Sequence, residues 1–246
     1  MIIFTATCDT ILAMKILAIE TATEACSAAL LIDGQLLSRY QVQPRMHSQL
    51  ILPMMEELLA EAEIGLSALD AIAFGRGPGA FTGVRIAVGV AQGAAFAVDL
   101  PVVAISTLAA LAQRGYREFG FQRMLAAYDA RMQEVYWGGY EVDDQGLVRP
   151  VIDEEVCAPG DVTLPVGMNW QGVGAGWDSY TDELKQRLGD ALSGYEAQLF
   201  CSAEDVAILG AAGFRNGDAV AAEFASPVYL RDKVASKPKQ VSTLSN

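Results

Sequence analysis

The chain has 246 residues, 52% of them apolar and 19% charged, with 17 Lys and Arg against 30 Asp and Glu for a net charge of -13. That length suits one large domain or two small ones, and the composition excludes disorder. The acidity excludes unaided tight binding to a phosphate backbone, which depends on Lys and Arg displacing counterions, so any nucleic-acid role needs a more basic partner.

The opening segment MIIFTATCDTILA lacks a basic start and carries Asp9, so it is not read as a signal peptide. Residues 1–13 are set apart as an N-terminal extension. From Met14 the chain reads strand KILAIE, strand CSAALLI (26–32), a hairpin turn at Asp33-Gly34 and strand QLLSRYQV (35–42). A helix is expected over 48–62, with Ser48 as its cap, Pro53 bending it, and Leu50, Ile51, Met54, Met55, Leu58 and Leu59 at helical spacing. Strand AIAFG (71–75), a glycine-rich loop, a helix over 82–98, strand VVAI (102–105) and a helix from Thr107 complete a first half. Strands separated by helices predict parallel pairing.

The stretch 80–98 is long and apolar, but Arg85 and Gln92 interrupt it and it falls short of the ~20 residues of a membrane span, so a buried helix is expected. The second half repeats the order loosely. Strands 124–130 and 134–141, a turn at 143–146, strand WQGVG, and helices near 181–188 and 202–212 follow one another. The boundaries expected are 14–108 for the first lobe, 109–235 for the second, and a tail over 236–246.

The loop GRGPGAFTGVRI, with Gly75, Gly77, Gly79 and Gly83, follows a strand and opens a helix, where backbone N-H groups can cradle an anion. It is no Walker loop, since no Gly-Lys-Ser/Thr closes it, and it lacks the acidic residue of a dinucleotide fold. The competing reading is a tight turn that packs the helix closely on the sheet. The run Gly172, Gly174, Gly176 is a weaker signal of the same kind. His47 is the one histidine, and four residues on stands Ile51, so no helical histidine pair can hold zinc; neither a hydrolase elbow nor a triad is present. No catalytic residue, cofactor site or metal site is assigned, and His47 is read as a surface residue at a helix start. The cysteines, Cys8, Cys26, Cys157 and Cys201, are far apart without ligand spacing, which predicts buried thiols in a reducing cytoplasm.

The helix over 82–98 is apolar nearly all round, and the Met-bearing helix before it offers a broad apolar surface. One side of each can lie on a sheet; the remainder left in water marks an association surface. The interface is expected at Leu50, Ile51, Met54, Met55, Leu58, Arg85, Ala87, Val88, Gly89, Ala91, Gln92 and Ala95.

KILAIETAT, HSQLILP, GRGPGAFTGVRI, AISTLAALA, DARMQEVY and PVYLR together closely resemble the TsaB family, also called YeaZ, of the actin-like and sugar-kinase ATPase superfamily. The resemblance covers Met14 to about Ala235, and Ala80 stands where the family has a serine. It implies two actin-like (ribonuclease H-like) α/β lobes, each a mixed sheet flanked by helices. It implies a non-catalytic subunit that binds a paralogous catalytic subunit, TsaD, and works with the ATPase TsaE in threonylcarbamoylation of the adenosine beside the anticodon. On this resemblance tRNA is met only through the complex, ATP or ADP and metal belong to the partner subunits, and the chain forms a homodimer when alone. The family's meeting of first-lobe helices falls on the two helices above. The first phosphate loop of active superfamily members is rich in Gly, Ser and Thr, whereas Glu20 to Ala25 here has no glycine and adds Glu24, which implies a degenerate nucleotide site. The alternatives are a stand-alone ATP-dependent transferase built on the Gly75 and Gly172 loops, or a peptidase-like enzyme, with Asp129 and Glu134 as the carboxylates to test.

Overall fold

The computed structural model describes residues 14–231; the expected extension 1–13 and tail 236–246 lie outside the described residues. Strands β1 (Lys15–Glu20), β2 (Ala25–Ile32) and β3 (Gln35–Val42) form an antiparallel meander. Asp33 and Gly34 both have positive φ, the backbone that a two-residue hairpin requires. Helix α1 (His47–Glu61) leads to β4 (Ala71–Gly75), then α2 (Phe81–Ala97), β5 (Pro101–Ile105) and α3 (Thr107–Phe119). β1, β4 and β5 pair in parallel, and with β11 (Val220–Ala221) at one edge the six-stranded sheet runs β11-β5-β4-β1-β2-β3.

The second half repeats this order. Strands β6 (Arg123–Arg131), β7 (Glu134–Val142) and β8 (Val148–Cys157) are the meander, followed by β9 (Trp170–Val173), α4 (Gly176–Ser179), α5 (Thr181–Leu188) and β10 (Leu192–Glu196). The sheet order β10-β9-β6-β7-β8 matches β5-β4-β1-β2-β3 strand for strand. β8 escapes the sequence reading because Pro150 and three acids hide any alternation in VRPVIDEEVC.

Helix α6 (Ala203–Asn216) and strand β11 (Val220–Ala221) correct the expected boundary. α6 packs on β1, β2, β4 and β5, and β11 pairs with β5, so the end of the chain returns to the first sheet. Ser106 and Ser202 cap α3 and α6 through their side chains, and Gly120 and Gly217 end them in left-handed geometry. α1 differs from expectation: it starts at His47, Met46 precedes it without a side-chain cap, and it runs unbroken through Pro53.

The middle of the first sheet is apolar on both faces because β1, β2 and β4 are almost wholly buried runs. Ile16, Ala18 and Ala73 face α6, and α3, packed between α6 and the second sheet, extends this core to Met124, Ala126 and Tyr128. Leu17, Ile19, Ile72 and Phe74 face α1 and α2. A third core joins Trp137, Trp170 and Trp177 to α5. No helix among the described residues is long and apolar enough to cross a membrane.

The close seating of α6 depends on Gly210, where an added Cβ would lie 2.5 Å from the Cβ of Ala73. Gly210→Leu is therefore expected to lower unfolding free energy by about 1–3 kcal/mol through overpacking, measured by urea denaturation.

A candidate docking face and a filled glycine loop

Four glycines of the Gly75–Gly83 loop are packed against the chain's own atoms. The Glu20 carboxyl occupies the place of a Cβ at Gly75, the Ala22 carbonyl lies 2.5 Å from one at Gly79, and the Thr21 carbonyl blocks one at Gly83. Gly77, at φ 93, holds the backbone of Val228 against its other side. The turn after β1 is tied down by Ala80 N-H donating to Ala22 O at 2.8 Å and Thr21 Oγ1 donating to Gly83 O at 2.7 Å. The cradle of the sequence reading is thus filled by the β1–β2 turn, and the loop serves close packing. The run at Gly172 does likewise: Trp177 covers Gly172, and Ala127 covers Gly174 and Gly176.

His47 is a correction: it is 8% exposed, and its Nε2 lies 2.8 Å from Thr23 O, which ties the start of α1 to the same turn. Glu24 is half-buried, whereas the carboxylate against the loop is Glu20, which is fully buried. Its Oε1 accepts from Ala22 N-H at 2.5 Å and its Oε2 from the Cys201 thiol at 3.3 Å. Burial raises the Glu20 carboxyl above its ordinary value of 4.5, outweighing the hydrogen bonds from Ala22, Cys201 and Thr21 that favour the anion. Cys26 and Cys201 are buried and Cys157 is partly so, and burial pushes the Cys26 thiol up to about 12, so at neutral pH it is held as a thiol.

Asp129 and Glu134 are engaged in local structure. Asp129 accepts from Arg131 N-H and from Tyr180 Oη at 2.9 Å, and Glu134 pairs with Arg231. These contacts hold the β6–β7 turn, in which Arg131, Met132 and Gln133 all have positive φ.

The expected interface divides in two. Ile51, Met54, Met55 and Leu58 of α1 and Ala87, Val88, Ala91 and Ala95 of α2 are buried in the subunit's own core against the sheet, so they cannot meet a partner directly. Leu50 and Gln92 are half-buried, and Arg85 and Gly89 are exposed. The outward face of the two helices carries residues the sequence reading left out: Leu52 at 50% exposure, Phe81 at 61% and Phe96 at 77%, beside Gly89 and Gly93, whose surroundings are open. Phe224, in a short turn packed on α2, adds a further exposed ring. The spacing of Phe81, Arg85, Gly89 and Gly93 is the signal that finds this face. Arg85 marks the wet side, and the residues four apart from it share that side. Among the described residues no group of three or more His, Cys, Asp or Glu side chains is arranged to hold a metal ion.

A family model described as TsaD, tRNA N6-adenosine threonylcarbamoyltransferase, matches residues 41–239. A protein of Escherichia coli named tRNA threonylcarbamoyladenosine biosynthesis protein TsaB is 44% identical over 227 residues, 91% of this chain and 97% of its own. Its namesake from Haemophilus influenzae is 37% identical over 232 residues, 91% of this chain and 96% of its own. Among solved structures, YeaZ from Pseudomonas aeruginosa superposes with a TM-score of 0.83 at 51% identity, covering 88% of this chain and 100% of that one. A second chain, described as an uncharacterized protein with similarity to peptidase YEAZ from that organism, gives the same score and identity.

Two tests follow from the loop. The Glu20 acid is favoured in the fold, so its contribution to stability is complete below the unfolded value near 4.5 and is lost as pH rises through the higher folded value. Glu20→Gln is expected to be more stable than the wild type at neutral pH, and the gap should close as pH falls through the raised folded value toward the unfolded one near 4.5, read from melting curves. Helix α2 begins at Ala80 without a side-chain cap, so Ala80→Ser should add about 1 kcal/mol of stability in the same assay.

Proposed function

The chain belongs to the TsaB family of tRNA threonylcarbamoyladenosine biosynthesis proteins, and on that premise we propose that it serves as a non-catalytic docking subunit for a TsaD-type transferase. Its role lies in the formation of threonylcarbamoyladenosine in tRNA. The partner assignment rests on one observation above the rest: the outward face of α2 exposes Phe81, Gly89, Gly93 and Phe96, with Leu52 of α1 and Phe224 beside it. Aromatic rings at such exposure around open glycines form a surface whose burial is favourable and into which a second helix can approach closely.

The glycine loops support this reading over a stand-alone transferase. The place where a phosphate would meet the Gly75 loop is taken by Glu20, Thr21 and Ala22, and a carboxylate at that place disfavours an anion. In this reading nucleotide and metal are bound by the partner subunits, a TsaE-type ATPase among them, and tRNA is met through the assembled complex in the cytoplasm. A chain of charge -13 suits that division. The same apolar face can pair two copies of the chain when the partner is absent.

Gly89→Trp tests the assignment without disturbing the fold, because an added Cβ at Gly89 meets no atom within 4 Å. The variant is expected to stay folded by circular dichroism, to lose binding to the TsaD-type subunit, and to fail in reconstituted tRNA threonylcarbamoylation. Binding and modification at wild-type levels would exclude the α2 face as the docking site.

A further inference from the structure

The exposed end of α2 carries a preassembled charged cluster. The Arg85 guanidinium stands 3.2 Å from the centroid of the Phe81 ring and 5.0 Å from that of Tyr229, and the two rings are 6.2 Å apart. Phe81 and Arg85 are one helical turn apart, but Tyr229 arrives from the far end of the chain. A segment running along the glycine loop delivers it, fixed by Val228 N-H donating to Arg76 O at 2.9 Å. Phe81 is 61% and Tyr229 48% exposed, so the cluster faces outward.

The Phe81 ring lies against the guanidinium and the Tyr229 ring flanks it from one side, since ring centroids 6.2 Å apart are too close to sandwich it, and most of its N-H donors are left for hydrogen bonding. Of its five N-H donors one reaches Phe81 O, at 3.3 Å. Arginines elsewhere, such as Arg39, Arg117 and Arg123, hold carboxylates, whereas among the described residues Arg85 has no ion-pair partner. In a chain with 30 acidic residues this cation is stacked, oriented and left without a counter-charge. Stacking fixes the fork beforehand, so less side-chain entropy is lost when a planar anion meets it.

We propose that Phe81, Arg85 and Tyr229 form the charged anchor of the docking face and that the anchor takes an aspartate or glutamate side chain of the partner protein. The inference rests on the reading of the α2 face as a docking site and adds the chemistry of what meets it. A carboxylate matches the guanidinium fork with two parallel hydrogen bonds. The neighbouring rings and glycines exclude water around it, the setting in which arginine and aromatic residues dominate binding. An RNA phosphate fits the same fork, but binding an RNA backbone draws on several cations. The rings against Arg85 carry no charge, and neither do Gly89 and Gly93, which lie on the same side of α2.

The test measures Kd of the full chain for the purified TsaD-type subunit by calorimetry, with Gly89→Trp as a control for the docking face. Arg85→Glu is expected to weaken binding about tenfold or more. It should fold normally, since Arg85 is exposed and its one hydrogen bond goes to its own helix. Arg85→Lys and Tyr229→Ala should fall between it and the wild type, and one Asp→Arg or Glu→Arg change on the partner should restore binding to Arg85→Glu. If Arg85→Glu binds within twofold of wild type while Gly89→Trp does not bind, the anchor is wrong and the docking face stands. If both bind normally, the docking face itself is wrong. Loss that no partner reversal restores overturns the carboxylate assignment. So does an Arg85→Glu chain that keeps its partner Kd while the assembled complex loses tRNA.

Discussion

Both faces of the six-stranded sheet are apolar, so both must be covered, and the chain covers them with different means. On one face lies α6, and α3 packs between α6 and the second sheet, so a single core runs from Ile16 through Val206 and Leu111 to Ala126. The interior of the molecule is thereby shared between its halves, and the small residues of α6, Gly210 above all, set how closely it seats. On the other face lie α1 and α2, with nothing among the described residues beyond them but the short turn that carries Phe224. The outer side of α2 leaves Phe81, Gly89, Gly93 and Phe96 exposed, and on that surface the proposed docking rests.

That arrangement also decides the fate of the glycine loop. The turn after β1 is drawn onto Gly75, Gly79 and Gly83, and His47 holds it from the side through Thr23. A loop with the pattern of an anion cradle is thus occupied by the protein itself. The buried Glu20 carboxyl is the consequence: hydrogen bonds from Ala22 and Cys201 hold it in place, while desolvation disfavours its charge. It marks the loop as a structural joint, and the C-terminal segment uses that joint to carry Tyr229 to α2.

Much of this was legible in the residues. The first meander, the helices between parallel strands and the repeated order followed from periodicity and turn chemistry, as Asp33-Gly34 illustrates, whereas β8 and the caps at Ser106 and Ser202 emerged only with the structure. The existence of an apolar excess on α2 was legible as well. Its direction was not. A helix with Ala87, Ala91 and Ala95 on one side and Gly89, Gly93 and Phe96 on the other has little polar contrast, so composition says that two sides are apolar without saying which one the sheet takes. The sheet took the side with the tighter alanine and valine row, and the glycines and phenylalanines were left outside.

What the sequence determined by itself is the local order of strands and helices, because that depends on residues close together in the chain. Tertiary structure decided which atoms fill the glycine loop, which helix face stays outside, and that Tyr229 meets Arg85. Each of these joins residues far apart in sequence, and only the packing of the whole chain onto both faces of one sheet brings them together.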